Sequence, residues 1–369
     1  MKRVYLAMQD SLAVIQEQGG QWKFDVPLEG KEVQAIAADP QRPEHIYLGS
    51  FGSGLWRSND AGSSWEPVGE GIPHKEVMAV AVSPVERVGD YGVVWAGTEP
   101  SGLFRSEDGG NTWQERPSLL DLPSKPTWKF PPRPYTHHVR WIQPDPVDAN
   151  RIFVAIELGG IMRSLDKGLT WEDRKPNAQP DGHTLAMHPK APGRVYEAAG
   201  GESHLFRPRL RSGLPPVQLS VIMRKGGYAE THDAGATWET QAEGLDGHHY
   251  LWSLAVDPAD PDTITASASI GPFEAHAYHG RKPHLAESCI IRRTQGKSWQ
   301  VVSKGLPASR GTLISILTSD PQEPGSFYTV NNKGLFRSLD AGETWEKLPC
   351  TWPDKYLTQH ARGLIVVNA

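Results

Sequence analysis

Cysteine is nearly absent from this sequence, since Cys289 and Cys350 are the only two among 369 residues. That excludes a disulfide-stabilised scaffold and is compatible with a reducing compartment. No apolar run approaches the roughly 18 residues that a membrane-spanning helix needs. Basic residues are not in excess either, because the formal net charge is −5 and the pI is near 6.3. We therefore expect neither a membrane nor nucleic acid as a partner.

Targeting and helical patterns are also missing. The N-terminal stretch MKRVYLAMQDSLAVIQ has no unbroken apolar core and no small-residue cleavage site, so it does not have the pattern of a signal peptide. No convincing amphipathic helix pattern occurs along the chain. We expect a cytoplasmic protein built from strands and turns.

Glycine, proline and tryptophan are abundant, with 37, 31 and 13 residues. Many of the tryptophans end a repeated octapeptide, Ser-x-Asp-x-Gly-x-Thr-Trp. Close copies end at Trp65, Trp113, Trp171 and Trp345, and more divergent copies end at Trp22, Trp238 and Trp299. A recurrence of roughly 40 to 50 residues, lengthened in places by insertions, is typical of a β-propeller.

Each repeat contains four short apolar segments separated by turns, which predict four strands. The N-terminus supplies strands two to four of a further blade, and the C-terminal segment RGLIVVNA supplies its first strand. The sequence therefore predicts an all-β, seven-bladed propeller in one domain, closed by the two chain ends. The predicted blades are residues 1–27 with 362–369, then 32–69, 76–117, 138–176, 183–242, 249–303 and 312–349.

The aspartates of the octapeptide are interpreted as structural. An aspartate in a tight turn accepts backbone N–H bonds, a following glycine supplies a positive φ, and the tryptophan packs between blades. We expect this role for Asp60, Asp108, Asp166, Asp233 and Asp340, rather than that of catalytic carboxylates.

The octapeptide resembles the Asp-box, or BNR, repeat. Over its full length the chain is similar to the Asp-box propeller superfamily, which includes sialidases, other glycoside hydrolases, sortilin-type receptors and photosystem II assembly factors. The resemblance implies a sialidase-like propeller and leaves its function open among these classes. The FRIP-like motif and the three matching arginines of a sialidase are missing, so we do not expect sialidase activity.

Connectivity separates the two faces of such a ring. The octapeptide turns lie on one face, and the turns between strands two and three lie on the other, together with the loops between blades. We expect a ligand site on this second face, in the central mouth, which is the opening around the axis of the ring. The longest insertions, 118–138, 201–223 and 271–288, fall on this face. These insertions either line a binding site or have no role in binding.

Histidines concentrate on the same face. His138, His183, His249 and His360 come at or just before the first strand of a blade, and we expect them to converge in the mouth. Neutral imidazoles suit a divalent transition metal. The alternatives are a metal-free polar pocket, or a histidine-rich surface without a catalytic role.

Acid–base catalysis is the second use of these groups. The candidates are His138, His183 and His249, together with Glu157 and Glu202 on turns between strands two and three.

Substrate binding is expected from polar and aromatic side chains near the same opening. Arg140 is a candidate anion anchor, Arg310 a second cation, and Trp128, Tyr135 and Tyr250 candidate ring or hydroxyl contacts.

Three functions stay open from the sequence. The first is a hydrolase or lyase acting on a small polar or saccharide-like substrate in the mouth, with or without a metal ion. The second is a non-enzymatic binding or assembly propeller for a protein partner. The third is a multi-histidine redox metalloprotein.

Overall fold

The fold follows from a computed structural model, which describes residues 2–130, 133, 136–200, 227–277 and 282–368. In chain order its strands are β1 (Lys2–Met8), β2 (Ser11–Gln18), β3 (Gln21–Glu29), β4 (Glu32–Asp39), β5 (Arg42–Phe51), β6 (Gly54–Ser58), β7 (Glu66–Pro67), β8 (Glu76–Val88), β9 (Tyr91–Glu99), β10 (Leu103–Ser106), β11 (Gln114–Glu115), β12 (Val139–Pro144), β13 (Ile152–Ile156), β14 (Gly160–Ser164), β15 (Gly182–Met187), β16 (Val195–Ala199), β17 (Tyr228–Thr231), β18 (Glu239–Thr240), β19 (Tyr250–Val256), β20 (Ile264–Ser269), β21 (Cys289–Arg293), β22 (Gln300–Val302), β23 (Ile316–Ser319), β24 (Phe327–Asn331), β25 (Gly334–Ser338), β26 (Glu346–Lys347) and β27 (Ala361–Asn368).

Helical structure is sparse in the described ranges. The insertion at 271–288 contains one short helix, α1 (Pro272–His276), and the 3-10 helices are Pro117–Asp121, Lys125–Thr127, Pro283–Leu285 and Asp354–Thr358. Among the described residues, no helix has the length and apolar character to cross a membrane.

The strands form seven antiparallel sheets, each of which is one blade of a ring. Blade 1 has the order β27-β1-β2-β3, and blades 2 to 7 begin with β4, β8, β12, β15, β19 and β23. Blade 4 has three strands, and a single bridge between Arg163 and Glu172 stands in place of its fourth. The seven-bladed prediction is confirmed.

The ring is closed by pairing the two ends of the chain. The C-terminal β27 pairs with β1 over a register that includes Val4 with Val366 and Leu6 with Leu364. Because of this pairing, β1 has a partner strand on each side, whereas without β27 one of its edges would be unpaired. The prediction that both ends share one blade is confirmed.

The first strand of each blade lies innermost. Each such strand contacts the first strand of the next blade, in a continuous circle from β4 through β27 and back to β4. The apolar core lies between blades, as where Trp345 packs with Ala255, Ile290 and Phe327 of blades 6 and 7. Apolar side chains thus fix the spacing of the blades. The polar residues near the strand starts lie outside this core and can face the axis of the ring.

The octapeptide turns have one repeated set of hydrogen bonds. In the turn at 58–65, Asp60 Oδ1 accepts bonds from the Ser58 hydroxyl and the Ser64 amide, both at 2.8 Å, while Asp60 Oδ2 accepts the Ser64 hydroxyl at 2.6 Å. Gly62, with φ of 85°, donates its N–H to the Ser58 hydroxyl. The same pattern recurs around Asp108, Asp166, Asp233 and Asp340. These carboxylates are therefore engaged in holding their own turns.

Candidate functional site

A β-bulge near the start of an inner strand recurs from blade to blade. The register skips one residue between Val139 and Trp141, between Gly182 and Thr184, between Leu251 and Ser253, and between Ala361 and Gly363. The skipped residues are Arg140, His183, Trp252 and Arg362. Blades 2 and 3 have Gln34 and Met78 at the same place. A bulged residue is left out of the ladder and its side chain is re-aimed.

The bulged side chains meet at the axis of the ring. The guanidinium carbon of Arg140, in blade 4, lies 4.5 Å from the centre of the Trp252 ring, in blade 6. The ring of Trp252 also lies 4.4 Å from that of His183, in blade 5. A contact between blades 4 and 6, which are not adjacent, is only possible across the central opening. We refer to Arg140, Glu157, Asp181, His183, Trp252 and Arg362 as the mouth cluster.

His138 and Glu157 form the first pair at the mouth. His138 comes directly before β12 and Glu157 directly after β13, and the pairing of Val139 with Ile156 brings the two together. The Nε2 of His138 lies 2.8 Å from Glu157 Oε2, and its Nδ1 lies 3.3 Å from Glu99 Oε2. Burial by itself would lower the pKa of His138, but the two carboxylates raise it above its ordinary value.

The carboxylate of Glu157 is ionised. Burial opposes ionisation, yet the hydrogen bond and the charge of His138, together with the charge of Arg140, hold the pKa of Glu157 well below its usual range. Its side chain keeps 14% of its surface exposed, and that of Arg140 keeps 12%. Both charged groups are therefore largely buried, with a small part of each side chain still reached by solvent.

His183 has a fixed tautomer. Its Nδ1 lies 2.7 Å from the carbonyl oxygen of Leu251, and a carbonyl can only accept, so Nδ1 carries the proton. The other nitrogen, Nε2, lies 3.5 Å from Asp181 Oδ2. Glu157, Asp181 and His183 are the one set of three potential metal ligands that the described ranges bring within 4.8 Å of one another.

Aromatic and imidazole rings continue the mouth cluster toward blade 1. The hydroxyl of Tyr250 lies 2.8 Å from Nε2 of His276, a residue of α1. The Nε2 of His360 donates to the carbonyl oxygen of His276 at 3.2 Å. Burial, followed by the charges of Asp181 and Glu157, raises the pKa of Tyr250 well above its ordinary value. Tyr250 therefore keeps its proton at neutral pH.

Two guanidinium groups share the opening. Burial, and then the positive charge of Arg140, lower the pKa of Arg362 to about 10. Burial likewise lowers the pKa of Arg140, against the effect of Glu157, whose Oε2 lies 3.8 Å from Arg140 Nε. Neither Nε atom has a hydrogen-bond partner among the described residues. Two nearby arginines with spare N–H donors can bind an anion.

The sequence-predicted histidines do not occupy equivalent positions. His183 is a bulged residue, whereas His138 and His360 each come two residues before a bulge and His249 three residues before one. His249 is half-buried, and its Nδ1 has no partner within the described ranges. The expected set of four histidines is therefore not brought together at metal-binding distances there.

The remaining predicted residues lie in different surroundings. Trp128 is 5% exposed, packs in the apolar cluster between blades 3 and 4, and donates its indole N–H to the Ser124 hydroxyl. The side chain of Arg310 is exposed. Tyr135 and Glu202 lie outside the described residues.

Sequence reasoning missed Asp181, Trp252, His276 and Arg362. For Trp252 and Arg362 the signal was a large polar or aromatic residue near the beginning of an apolar inner strand, as in the segments LWS and ARG. The histidine pairs at 137–138 and 248–249 lie two to four residues before the bulged residues Arg140 and Trp252.

Comparisons with known proteins concern the fold. No family model matches the chain, and no curated protein matches it. Among solved structures, a GH74 enzyme from Niastella koreensis is 17% identical with a TM-score of 0.66, and covers 93% of this chain and 52% of its own. A GH74 xyloglucanase from Xanthomonas campestris is 18% identical, with a TM-score of 0.61 and the same two coverages. The chain thus spans about half the length of these enzymes.

A second group of similar structures is smaller in size. YCF48 from Cyanidioschyzon merolae is 13% identical with a TM-score of 0.53, and covers 86% of this chain and 85% of its own. YCF48 has also been solved bound to D1 peptide, with 16% identity and the same TM-score. At these identities the likeness establishes a propeller fold and no activity.

Proposed function

We propose that this propeller is an enzyme of the lyase or hydrolase type that acts on an acidic, saccharide-like substrate at the mouth cluster. The observation that carries the proposal is the pair Arg140 and Arg362, which leave spare guanidinium donors beside an ionised carboxylate, Glu157. Such a pair suits the carboxylate of a substrate, and GH74 neighbours support a saccharide as the first class to test.

The protonation states of the surrounding groups favour elimination over hydrolysis of a glycosidic bond. Hydrolysis commonly uses a protonated carboxylic acid near the leaving oxygen, whereas Glu157 is ionised. Elimination needs an anchored substrate carboxylate, a base for the proton on the adjacent carbon, and a proton donor for the leaving oxygen. Arg140 and Arg362 provide the anchor, Glu157 or the Nε2 of His183 the base, and Tyr250 the donor.

The proposed step is balanced without an oxidant. The base removes the proton from the carbon next to the carboxylate, and the electron pair forms a carbon–carbon double bond. The bond from the neighbouring carbon to the leaving oxygen breaks, and that oxygen takes a proton. No water is consumed, which distinguishes the step from hydrolysis.

The test is a screen of purified protein against uronate-containing and neutral oligosaccharides. New reducing ends report cleavage by either route, and ultraviolet absorbance of a conjugated double bond reports elimination alone. We expect cleavage of uronate substrates that Arg362→Gln abolishes and Arg310→Gln leaves unchanged, since Arg310 is exposed. Stoichiometric capture of a protein partner, without cleavage of any substrate, would instead favour a binding propeller.

A further inference from the structure

A buried carboxylate without a sufficient partner lies at the mouth cluster. Asp181 is 5% exposed, and its Oδ1 has no hydrogen-bond partner among the described residues. Its Oδ2 is 3.5 Å from His183 Nε2, and no arginine or lysine in the described ranges lies within ion-pairing distance. An ionised carboxylate taken out of water is strongly destabilising unless a cation or several donors compensate it.

From this we propose that Asp181, His183 and Glu157 hold a divalent transition-metal ion. One donor atom from each lies within 4.8 Å of the donor atoms of the other two. The proposal rests on the geometry of these three residues and gives Glu157 and His183 a different role from the base proposed above, since a lone pair that binds an ion is not free to accept a proton. It also replaces the four-histidine ligand set expected from the sequence.

The separation between Asp181 and His183 suits two ligands better than an ion pair. Two ligand atoms about 2.1 Å from one metal, at a near-tetrahedral angle, lie about 3.4 Å apart. The observed separation is 3.5 Å. A charge-assisted hydrogen bond from imidazolium to carboxylate would be about 2.7 to 2.9 Å. The two side chains thus face each other at the distance that a shared ion requires.

The surroundings orient both nitrogen and oxygen donors. Leu251 accepts the Nδ1 proton of His183 at 2.7 Å, which leaves the lone pair of Nε2 directed at the cluster. His138 contacts one oxygen of Glu157 at 2.8 Å, and Glu157 has a second oxygen for a metal. Backbone and imidazole contacts of this kind fix the ligands of known metal sites.

The ligand types and their number indicate the class of ion. One imidazole with two carboxylates suits Zn²⁺ or Mn²⁺ better than Ca²⁺, which prefers six to eight oxygen ligands. Three protein ligands leave coordination positions for water or a substrate oxygen. The two negative charges of Glu157 and Asp181 would be balanced by the ion, and Arg140 and Arg362 would stay available for an anionic ligand.

Titration calorimetry on protein stripped of metal tests the site. Zn²⁺ and Mn²⁺ are added separately, with Ca²⁺ as the control ion. We expect one saturable site per chain for Zn²⁺ or Mn²⁺, with affinity lowered at least about 100-fold in Asp181→Asn. His249→Ala is the matched control, because it removes a histidine on the same face outside the cluster, and its affinity should equal that of the wild type.

Folding of each variant is checked by near-ultraviolet circular dichroism, and Glu157→Gln replaces Asp181→Asn if the latter does not fold. Absence of saturable binding to the wild type would overturn the proposal. So would unchanged affinity in the folded Asp181→Asn or Glu157→Gln variant, or loss of binding in His249→Ala alone.

Discussion

The guanidinium carbon of Arg140 lies 4.5 Å from the centre of the Trp252 ring and so joins blades 4 and 6 across the axis of the propeller. Both residues are skipped by the register of their inner strands. Four members of the mouth cluster, Arg140, His183, Trp252 and Arg362, are therefore placed by one backbone device, a bulge near the start of an inner strand. Because blades 1 to 6 each have one such position in the described part of the chain, the side chains found there help to determine what the ring can bind.

Tyr250 is predicted to matter for turnover rather than for substrate affinity. Tyr250→Phe removes the hydroxyl that lies 2.8 Å from His276, and with it the proton donor. We expect kcat to fall by about 10² to 10⁴ while KM changes little. Steady-state kinetics on the uronate substrate found in the screen measures both.

Tyr196→Phe is the matched control for that variant. Tyr196 is another buried tyrosine, and its hydroxyl donates to the Pro261 carbonyl oxygen at 2.7 Å. Each variant should lose about 1 kcal/mol of stability, and only Tyr250→Phe should slow turnover. Equal kcat values in the two variants would show that the Tyr250 hydroxyl takes no part in the reaction.

The octapeptide aspartates should affect stability and leave ligand binding unchanged. Asp340 accepts bonds from the Ser338 hydroxyl, the Thr344 amide and the Thr344 hydroxyl. Asp340→Ala removes all three at an exposed turn, so we expect a loss of about 1 to 2 kcal/mol in the free energy of unfolding. Urea denaturation measures it, with Asp25→Ala as control, since the carboxylate of Asp25 has one ion-pair partner in the described ranges, the exposed Lys23 at 3.4 Å. Loss of activity without loss of stability would contradict a structural role.

Much of the fold was predictable from these octapeptides, because each one combines turn-forming residues with a tryptophan at nearly fixed positions. The site was less predictable. His138 and Glu157 could be chosen from their places beside strands, but Arg362 could not, since a bulge shifts which residue of a strand faces the axis. Bulges depend on pairing between strands, and the local sequence does not reveal that register.

Glu230 is predicted to stabilise the interface between blades 5 and 6 in a pH-dependent way. Glu230 is 2% exposed. Its Oε2 lies 2.7 Å from Nη2 of Arg194, and its Oε1 lies 3.1 Å from Nη2 of Arg293. Burial opposes ionisation, but the charges of Arg293 and Arg194 lower the pKa of Glu230 below its ordinary value of 4.5. Its contribution is thus complete above pH 4.5 and is lost as the pH falls through the lower, folded-state pKa.

Glu230→Gln removes the counter-charge of Arg293 and leaves Arg194 paired with Asp262 alone among the described residues. We expect it to destabilise the protein by about 3 to 5 kcal/mol at pH 7, with a smaller difference from the wild type below pH 4. Thermal or urea unfolding across this pH range measures the difference. A constant difference at every pH would show that the charge of Glu230 is not what stabilises the interface.

Glu197 affects the pH dependence of stability in the opposite direction. It is fully buried on β16, and the backbone N–H of Gln179 does not offset that burial. Burial, reinforced by Asp181, raises the pKa of Glu197 well above 4.5. The folded protein keeps this proton while the unfolded chain releases it, so the residue lowers stability progressively as the pH rises above 4.5.

Glu197→Gln removes that dependence with little change in shape. We expect the variant to be more stable than the wild type at pH 7, by an amount that grows with pH by up to about 1.4 kcal/mol per unit. Unfolding free energies at pH 5, 6 and 7 give the slope. Parallel pH profiles for the two proteins would mean that Glu197 is ionised in the folded state.

The proposed function depends above all on binding of an anionic ligand at the mouth cluster through Arg140 and Arg362. Calorimetric titration with a uronate trisaccharide and its neutral counterpart measures this binding, on the wild type, Arg362→Gln and Arg310→Gln. We expect binding of the acidic trisaccharide alone, weakened about 10- to 100-fold by Arg362→Gln and unchanged by Arg310→Gln. Equal binding of the acidic and neutral sugars, or equal effects of the two substitutions, would contradict it.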